Sequence, residues 1–186
     1  MFHIDNIPKK PHKHCKCGTV PLRLHNTFAQ IDERLDELEG KLGKIKKNYI
    51  SSKYGDRVHP ITGKKDFHEG TDFAVPEGTP LPSPVNGKVS RNDYTSGNGN
   101  RVAIIDKTGV EHHFYHMNER SYLQVGDKVE VDNIVGYSGN SGHSKGAHLH
   151  YEARDTKSGK GYPDNVVAPS QENVDYFNDY FQSYFN

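Results

Sequence analysis

The amino-acid sequence predicts a mainly β fold, in which short antiparallel strands form a sheet or sandwich with a helix near each end of the chain. The composition is rich in turn and β-forming residues, with 18 Gly, 11 Tyr and 8 Phe, no Trp, and a hydrophobic fraction of only 32%. Short apolar segments separated by Gly and Pro occupy residues 51–168 without a helical repeat. Helical periodicity is confined to residues 26–50 and 169–186.

Length and charge narrow the classes of function. The 186 residues suit one folded domain with small extensions. Because 24 Lys and Arg balance 24 Asp and Glu, we expect no general attraction to nucleic acid or to a membrane surface. No apolar run is as long as a signal peptide or a membrane span, so we expect a soluble chain with no export signal of its own.

Residues 1–25 are basic and His-rich, have no periodicity and are predicted to be an irregular arm. The arm contains His12, His14, Cys15 and Cys17, which are side chains that bind soft metals. Their spacing lacks the C-x-x-C pair of zinc knuckles. A solvated arm is therefore the preferred interpretation, and a second metal site is the alternative.

An amphipathic helix is predicted over residues 26–50, because apolar residues recur there at helical spacing: Phe28, Ile31, Leu35, Leu38, Leu42, Ile45 and Tyr49. Gly40 and Gly43 weaken it by about 1 kcal/mol each relative to Ala. Two interpretations stay open. The helix packs on its own domain, or residues 26–49 form a short coiled coil that makes a homo-oligomer.

The clearest pair of strands between the two helices is a hairpin. Val102–Asp106 and Val110–Phe114 are apolar segments joined by a three-residue turn that ends in Gly109. We expect Gly109 to adopt the positive φ that such a turn requires. The following breaks at Gly and Pro predict further antiparallel strands.

The last segment, residues 169–186, is predicted to be a short aromatic helix. Phe177, Phe181 and Tyr184 fall on one helical face, with further tyrosines beside them. We interpret this stripe as packing against the sheet. An exposed aromatic face for a partner is the alternative.

Candidate ligands for a metal occur as two pairs. His68 and Asp72 form an H-x-x-x-D pair, and Gly70 between them favours a loop entering a strand over a helix. His148 and His150 form an H-x-H pair, whose side chains share one face of a strand, so that one can bind a metal while the other lies beside it. Each pair alone is common by chance. Together, two His and one carboxylate meet the need of catalytic zinc for three protein ligands and an open position.

Several motifs follow one another in a defined order over residues 51–168: YGDRVHPITG, HEGTD continued by FAVPEGTP, YHM, and GNSGHSKGAHLHYEA. In this order they resemble the lysostaphin/LytM-type zinc metalloendopeptidases, which are peptidoglycan hydrolases. Met117 stands where that family usually has Leu. The resemblance implies a LytM-type peptidase domain with a barrel-like antiparallel sheet and a groove across it.

The resemblance also implies the roles of individual residues. His68, Asp72 and His150 are implied to be the ligands of Zn²⁺. His148 and His116 are implied to flank the metal-bound water and the scissile carbonyl. We expect His148 to transfer the proton and His116 to support the oxyanion, with the reverse assignment open.

Other residues near these motifs have weaker assignments. By resemblance, we expect Tyr54 and Asn140 to line the substrate groove, and we expect His143 to line it from its position within GNSGHSKG. His112 and His113 match no ligand of the family. Because they are adjacent in a strand, we expect one to face inward and the other outward.

The function that the resemblance implies is hydrolysis of amide bonds in peptidoglycan stem peptides or cross-bridges, with no nucleic-acid partner. One alternative is a structural component of a phage tail or other assembly that carries the peptidase domain. Another is a groove-binding module that has lost catalysis, which is disfavoured because all five ligand and catalytic positions are filled. A site of action at the bacterial wall, in the periplasm or outside the cell, is expected, with a virion or cell lysis as the route.

Overall fold

The computed structural model describes residues 47–58 and 63–186, together with Ile31, Glu33 and Arg34, which have helical backbone. The chain divides into two compact units, Met1–Lys46 and Lys47–Asn186, and nearly all described residues belong to the second. The arm predicted for residues 1–25, with its four candidate metal ligands, lies outside the described residues. So does most of the helix predicted for residues 26–50, and both remain predictions.

The second unit consists of short strands followed by one helix. In chain order the elements are β1 Ile50–Ser52, β2 Gly55–Val58, β3 Lys65–His68, β4 Thr71–Phe73, β5 Pro80–Pro82, β6 Gly87–Thr95, β7 Gly99–Asp106, β8 Val110–Met117, β9 Lys128–Val129, β10 Ile134–Tyr137, β11 Leu149–Asp155, β12 Val166–Val167 and α1 Gln171–Phe185.

Eight of the described strands form one sheet in the order β1–β4–β11–β8–β7–β6–β9, with β12 paired to β11. Every pairing in it is antiparallel. Two smaller antiparallel ribbons pair β5 with β10 and β2 with β3. The predicted mainly β, antiparallel fold with a C-terminal helix is confirmed. No helix in the described part of the chain is long and apolar enough to cross a lipid bilayer.

The predicted hairpin is present as β7 and β8, and both strands are longer than the apolar segments that predicted them. Asp106 holds the turn, because its Oδ1 accepts hydrogen bonds from the backbone N–H groups of Thr108, Gly109 and Val110. Gly109 has φ +92°, which a residue with a side chain rarely adopts. The residues that extend β8 beyond the predicted segment include His116, one of the two candidate catalytic histidines.

One face of the large sheet packs on α1. The ring of Phe177 contacts Phe73, Phe114 and Tyr151, and both Phe177 and Phe181 are fully buried. Ser170 caps the helix by accepting a hydrogen bond from the backbone N–H of Asn173. The core interpretation of the aromatic stripe is therefore confirmed for its two phenylalanines.

The third member of the predicted stripe, Tyr184, is exposed. It lies in the last turn of α1, one turn beyond the last core position, and its ring packs on Tyr180 and Phe185 of the same helix. The prediction that Tyr184 joins the core was wrong because periodicity shows which side of a helix a residue occupies but does not show where the sheet beneath it ends.

The prediction that one of His112 and His113 faces inward and the other outward is confirmed, since they lie on opposite faces of the sheet, but both are buried. His112 lies on the core face, where Nδ1 is 2.6 Å from the hydroxyl of Tyr151. His113 lies on the opposite face, stacks on Tyr115 and is 3.1 Å from Glu111 through Nε2. The side chains do alternate, but the second face of the sheet carries a packed layer of its own.

Candidate metal centre

The neighbouring strands β4 and β11, together with the end of strand β3, bring the candidate ligands together. His150 of β11 and Asp72 of β4 are direct cross-strand partners. His68 is the last residue of β3, and the chain turns at Gly70 to enter β4. The sequence prediction of a loop between His68 and Asp72 that enters a strand is confirmed.

Gly70 is needed for this close approach. A Cβ built on Gly70 would lie 2.5 Å from the backbone oxygen of Tyr151 and 2.7 Å from Nε2 of His150. Real Cβ atoms do not approach other heavy atoms so closely. The chain therefore passes against β11 only because this residue has no side chain.

The three candidate ligands point one atom each at a common centre. Nε2 of His68 lies 3.2 Å from Nδ1 of His150 and 3.2 Å from Oδ2 of Asp72, and Nδ1 of His150 lies 2.7 Å from Oδ1 of Asp72. All three ligand atoms fall within 4.8 Å of one another. Ligands at about 2.0–2.1 Å from a tetrahedral zinc are roughly 3.3 Å apart, so this donor set fits one zinc ion with an open fourth position.

Neighbouring groups fix the ring of His68. Its Nδ1 is 2.9 Å from the carbonyl of Lys53 and 3.2 Å from Oγ of Ser52. Because a carbonyl can only accept, Nδ1 carries the proton, and the lone pair of Nε2 faces the centre. Arg57 donates to Ser52 and lies 3.9 Å from Oδ2 of Asp72, which adds a positive charge beside the carboxylate.

Without a metal, the three groups hold a proton among themselves. Burial acts to raise the pKa of Asp72, but the contacts with His150 and His68 outweigh it and hold that pKa below its usual range. Burial acts to lower the pKa of His150, and the contacts with Asp72 and Glu152 outweigh it, raising this pKa to about 9. Without a metal the centre is therefore an ion pair of ionised Asp72 and protonated His150, and a metal that binds Nδ1 of His150 displaces that proton.

His116 and His148 stand next to this centre and outside the ligand cluster. Their ring centroids are 4.8 Å apart, and Nε2 of His148 is 3.8 Å from Oδ1 of Asp72. Nδ1 of His148 lies 2.8 Å from the carbonyl of Gly146, and Nδ1 of His116 lies 2.8 Å from that of Ser141. Each neutral ring therefore carries its proton on Nδ1 and presents Nε2 as an acceptor.

His116 adopts a backbone conformation that is uncommon for a residue other than glycine, with φ +60°. The register of β7 with β8 shifts nearby, and the N–H of His116 donates to the carbonyl of Asn98 in the preceding turn. Burial lowers the pKa of His116 to about 4, against the hydrogen bond with Ser141. The ring is therefore neutral at neutral pH.

A cleft of about 570 Å³ contains these side chains. His143 lines the cleft, as expected, with Glu69 and Asn98, which the sequence did not single out. Tyr54 packs edge-on to Phe67 and lines a separate small cavity, and Asn140 is exposed. The assignment of Tyr54 and Asn140 to the groove stays a prediction.

Comparison with known proteins places the fold and the site in one family. Residues 66–169, more than half of the chain, match Peptidase family M23. The DD-carboxypeptidase/endopeptidase Mpg of Neisseria meningitidis serogroup B is 38% identical over 119 residues, which are 64% of this chain and 26% of that protein. The chain therefore spans about a quarter of the length of this curated relative.

Two solved structures agree in fold. The catalytic domain of lysostaphin from Staphylococcus simulans has 25% identity and a TM-score of 0.58, over 71% of this chain and 92% of that one. A mutant catalytic domain of the prophage-encoded M23 protein EnpA from Enterococcus faecalis has 36% identity and a TM-score of 0.56, over 66% and 88%. Because the family match spans the strands that carry all the candidate ligands and both flanking imidazoles, the chain belongs to peptidase family M23, whose members are metallopeptidases that use zinc.

Proposed function

We propose that this chain is a zinc metalloendopeptidase that hydrolyses amide bonds in the peptides of bacterial peptidoglycan. The convergence of His68 Nε2, an Asp72 oxygen and His150 Nδ1 within 4.8 Å carries the proposal. Relatives support the substrate class, since they include a peptidoglycan DD-endopeptidase of Vibrio cholerae and a glycyl-glycine endopeptidase of Staphylococcus capitis. The site of action is then the cell wall, in the periplasm or outside the cell.

Different residues of the site would bind the metal, transfer the proton and support the oxyanion. His68, Asp72 and His150 would hold the zinc, which acidifies a bound water and polarises the scissile carbonyl. Nε2 of His148 lies beside the centre as an unprotonated acceptor, so His148 takes the proton of the attacking water and later returns a proton to the leaving amine. Nε2 of His116 is likewise an acceptor in the neutral ring. His116 would therefore donate a hydrogen bond to an oxyanion only as the imidazolium, with its second ring proton taken from solvent.

Digestion of purified cell walls tests the proposal. Walls with direct cross-links and walls with glycine bridges are incubated with the zinc-loaded chain, and the released peptides are identified by mass spectrometry. We expect new amino termini at one type of bond, which distinguishes a DD-endopeptidase from a glycyl-glycine endopeptidase. A chelator and the His148→Ala variant should both abolish release. Binding of walls without release by the zinc-loaded chain would favour the groove-binding alternative.

A phage context is a second proposal for the route to the wall. It is supported by the similar M23 protein EnpA of Enterococcus faecalis, which is prophage-encoded. If the chain acts in a phage particle, it should sediment with purified virions of a lysogen that carries its gene. If it is found only in the soluble lysate, release by lysis is favoured over a structural role.

A further inference from the structure

Glu152 is a buried carboxylate on the metal-site face of the sheet. It follows His150 at the next position on the same face of β11, and it is 3% exposed. Removing a carboxylate from water costs several kcal/mol unless charged or hydrogen-bonding partners compensate. The groups that compensate for the burial of Glu152 therefore indicate its role.

One oxygen of Glu152 is held on the side away from the metal centre. Oε1 accepts a hydrogen bond from Nε of Arg154, and Nη2 of Arg154 donates to the hydroxyl of Tyr115 at 2.8 Å. The guanidinium also lies over the ring of Tyr162, 4.5 Å from its centroid. These contacts fix the carboxylate and leave its second oxygen directed elsewhere.

The second oxygen faces a metal ligand. Oε2 of Glu152 lies 3.7 Å from Nε2 of His150, the ring nitrogen opposite the one directed at Asp72 and the centre. A histidine that binds a metal through one nitrogen is oriented by the acceptor that faces its other nitrogen. Glu152 is in position to be that acceptor for His150.

The other three imidazoles of the site have a different kind of partner. Nδ1 of His68, His116 and His148 each faces a backbone carbonyl, of Lys53, Ser141 and Gly146 respectively. His150 instead faces a carboxylate. A negative charge there makes the imidazole a stronger donor to a cation, and it adds to the charge of Asp72 against the two positive charges of a zinc ion.

We propose that Glu152 is a positioning residue that accepts the Nε2–H of His150, aims Nδ1 at the metal, and thereby raises the affinity of the site for zinc. The proposal rests on the metal site of the proposed function. Glu152 thus strengthens the binding of zinc by His150 without being a ligand itself, and Arg154 holds Glu152 in place.

Glu111 provides a matched control. It is a mostly buried carboxylate on the same face of the sheet, in the adjacent strand β8, and its Oε2 lies 3.1 Å from Nε2 of the buried His113. Arg91 lies 3.8 Å from the same oxygen. The Glu111–His113 pair therefore repeats the carboxylate–imidazole contact without touching a metal ligand.

The test compares zinc affinity in the full chain. The parent, Glu152→Gln and Glu111→Gln are freed of metal and titrated with zinc against a chromophoric chelator. We expect Glu152→Gln to bind zinc about 10- to 100-fold more weakly than the parent, and Glu111→Gln to stay within about 2-fold of it. Equal loss in the two variants, or no loss in Glu152→Gln, would overturn the proposal.

A spectroscopic readout separates positioning from a general loss of structure. In the zinc-loaded parent, the Nε2–H proton of His150 should resonate far downfield because it is bonded to a carboxylate, and it should move upfield in Glu152→Gln. The same resonance should be unchanged in Glu111→Gln. An unchanged His150 signal in Glu152→Gln would contradict the proposal even if the affinity fell.

A second variant covers the case in which Glu152→Gln does not fold. Arg154→Lys keeps a positive charge but loses the paired N–H groups that reach Glu152 and Tyr115, so it should weaken zinc binding by a smaller factor. Parent-like affinity in Arg154→Lys would contradict the part assigned to Arg154. If the parent itself binds no zinc, the proposed function fails rather than the role of Glu152.

Discussion

At the residue scale, we propose different roles for similar side chains of the centre because their ring nitrogens point in different directions. His148 and His150 share one face of β11, yet only His150 directs a nitrogen into the ligand cluster. His148 reaches the same carboxylate at 3.8 Å through Nε2, and its Nδ1 is held by Gly146. This difference predicts opposite effects of removing each ring.

Replacing His150 with Ala should remove most of the bound zinc, because it deletes one of three protein ligands. Replacing His148 with Ala should leave nearly one zinc per chain and lower the rate of peptide hydrolysis by about 100-fold or more, because it removes the proton carrier. Elemental analysis of the dialysed proteins and a turnover assay check both results. Equal zinc loss in the two variants would show that His148 is a ligand.

Gly70 makes a second prediction at this scale. Gly70→Ala should lower the free energy of unfolding by about 1–3 kcal/mol, because the added methyl group meets the backbone of Tyr151 and the ring of His150. It should also weaken zinc binding by moving that ring. Gly161→Ala is the control, since no atom lies within 4 Å of a Cβ placed there. Urea unfolding and zinc titration of both variants provide the measurements, and similar values for the two would contradict the steric argument.

At the scale of elements, α1 supports the strands that carry the ligands. Phe177 packs on Phe73 of β4 and on Tyr151 of β11, directly behind Asp72 and His150.

The helix predicted over residues 26–50 lies mostly outside the described residues, and its part in an oligomer stays a prediction. Light scattering of the full chain and of a chain without residues 1–46 distinguishes the two interpretations. Only a coiled coil would make the number of chains per particle fall when those residues are removed.

Phe177→Ala should cost about 3–5 kcal/mol in the free energy of unfolding, since it removes a fully buried ring from the contact between helix and sheet. Tyr184→Ala should change it by no more than about 0.5 kcal/mol, because this ring is exposed and packs on Tyr180 and Phe185 of the same helix. Chemical denaturation of both variants checks the pair. A large loss in Tyr184→Ala would show that its face of the helix is covered in solution.

At the scale of the whole molecule, the sheet has two packed faces, and each buries a histidine of β8. Burial lowers the pKa of His112 against the contact with Asp106, and burial lowers the pKa of His113 against the hydrogen bond with Glu111. Both rings therefore bind a proton less readily in the folded protein than in the unfolded chain, where they titrate near the ordinary value of 6.5. The unfolded state therefore binds more protons than the folded state below that pH, and the folded protein becomes less stable as the pH falls.

We expect the metal-free protein to lose stability progressively from about pH 6.5 downward. His113→Gln should lose less stability than the parent between about pH 7.5 and 5, because one neutral buried imidazole has been removed. His143→Gln, which changes an exposed histidine, should follow the parent. The free energy of unfolding in urea, measured with a chelator present, gives these slopes. If His113→Gln had the slope of the parent, the lowered pKa would not be the cause.

The amino-acid sequence by itself predicted much of the fold and of the candidate site. Strand and turn residues predicted the antiparallel fold and the β7–β8 hairpin, because those preferences act between neighbours in sequence. The spacing of His68, Asp72, His148 and His150, with the motif order around them, predicted the ligand set. Chemistry of this kind leaves a local signature that can be read without a structure.

The tertiary structure alone decided which groups surround that chemistry. The partners of His68, His148 and His116 are backbone carbonyls, and carbonyls are the same at every position of a sequence. The burial of His113, the exposure of Tyr184 and the contact of Glu152 with His150 depend on what packs above each residue and on where the sheet ends. The meeting of His150 with Asp72 and the burial of β8 beside β11 come from the register of β11 with β4 and β8, which is a property of distant strands brought together rather than of any segment alone.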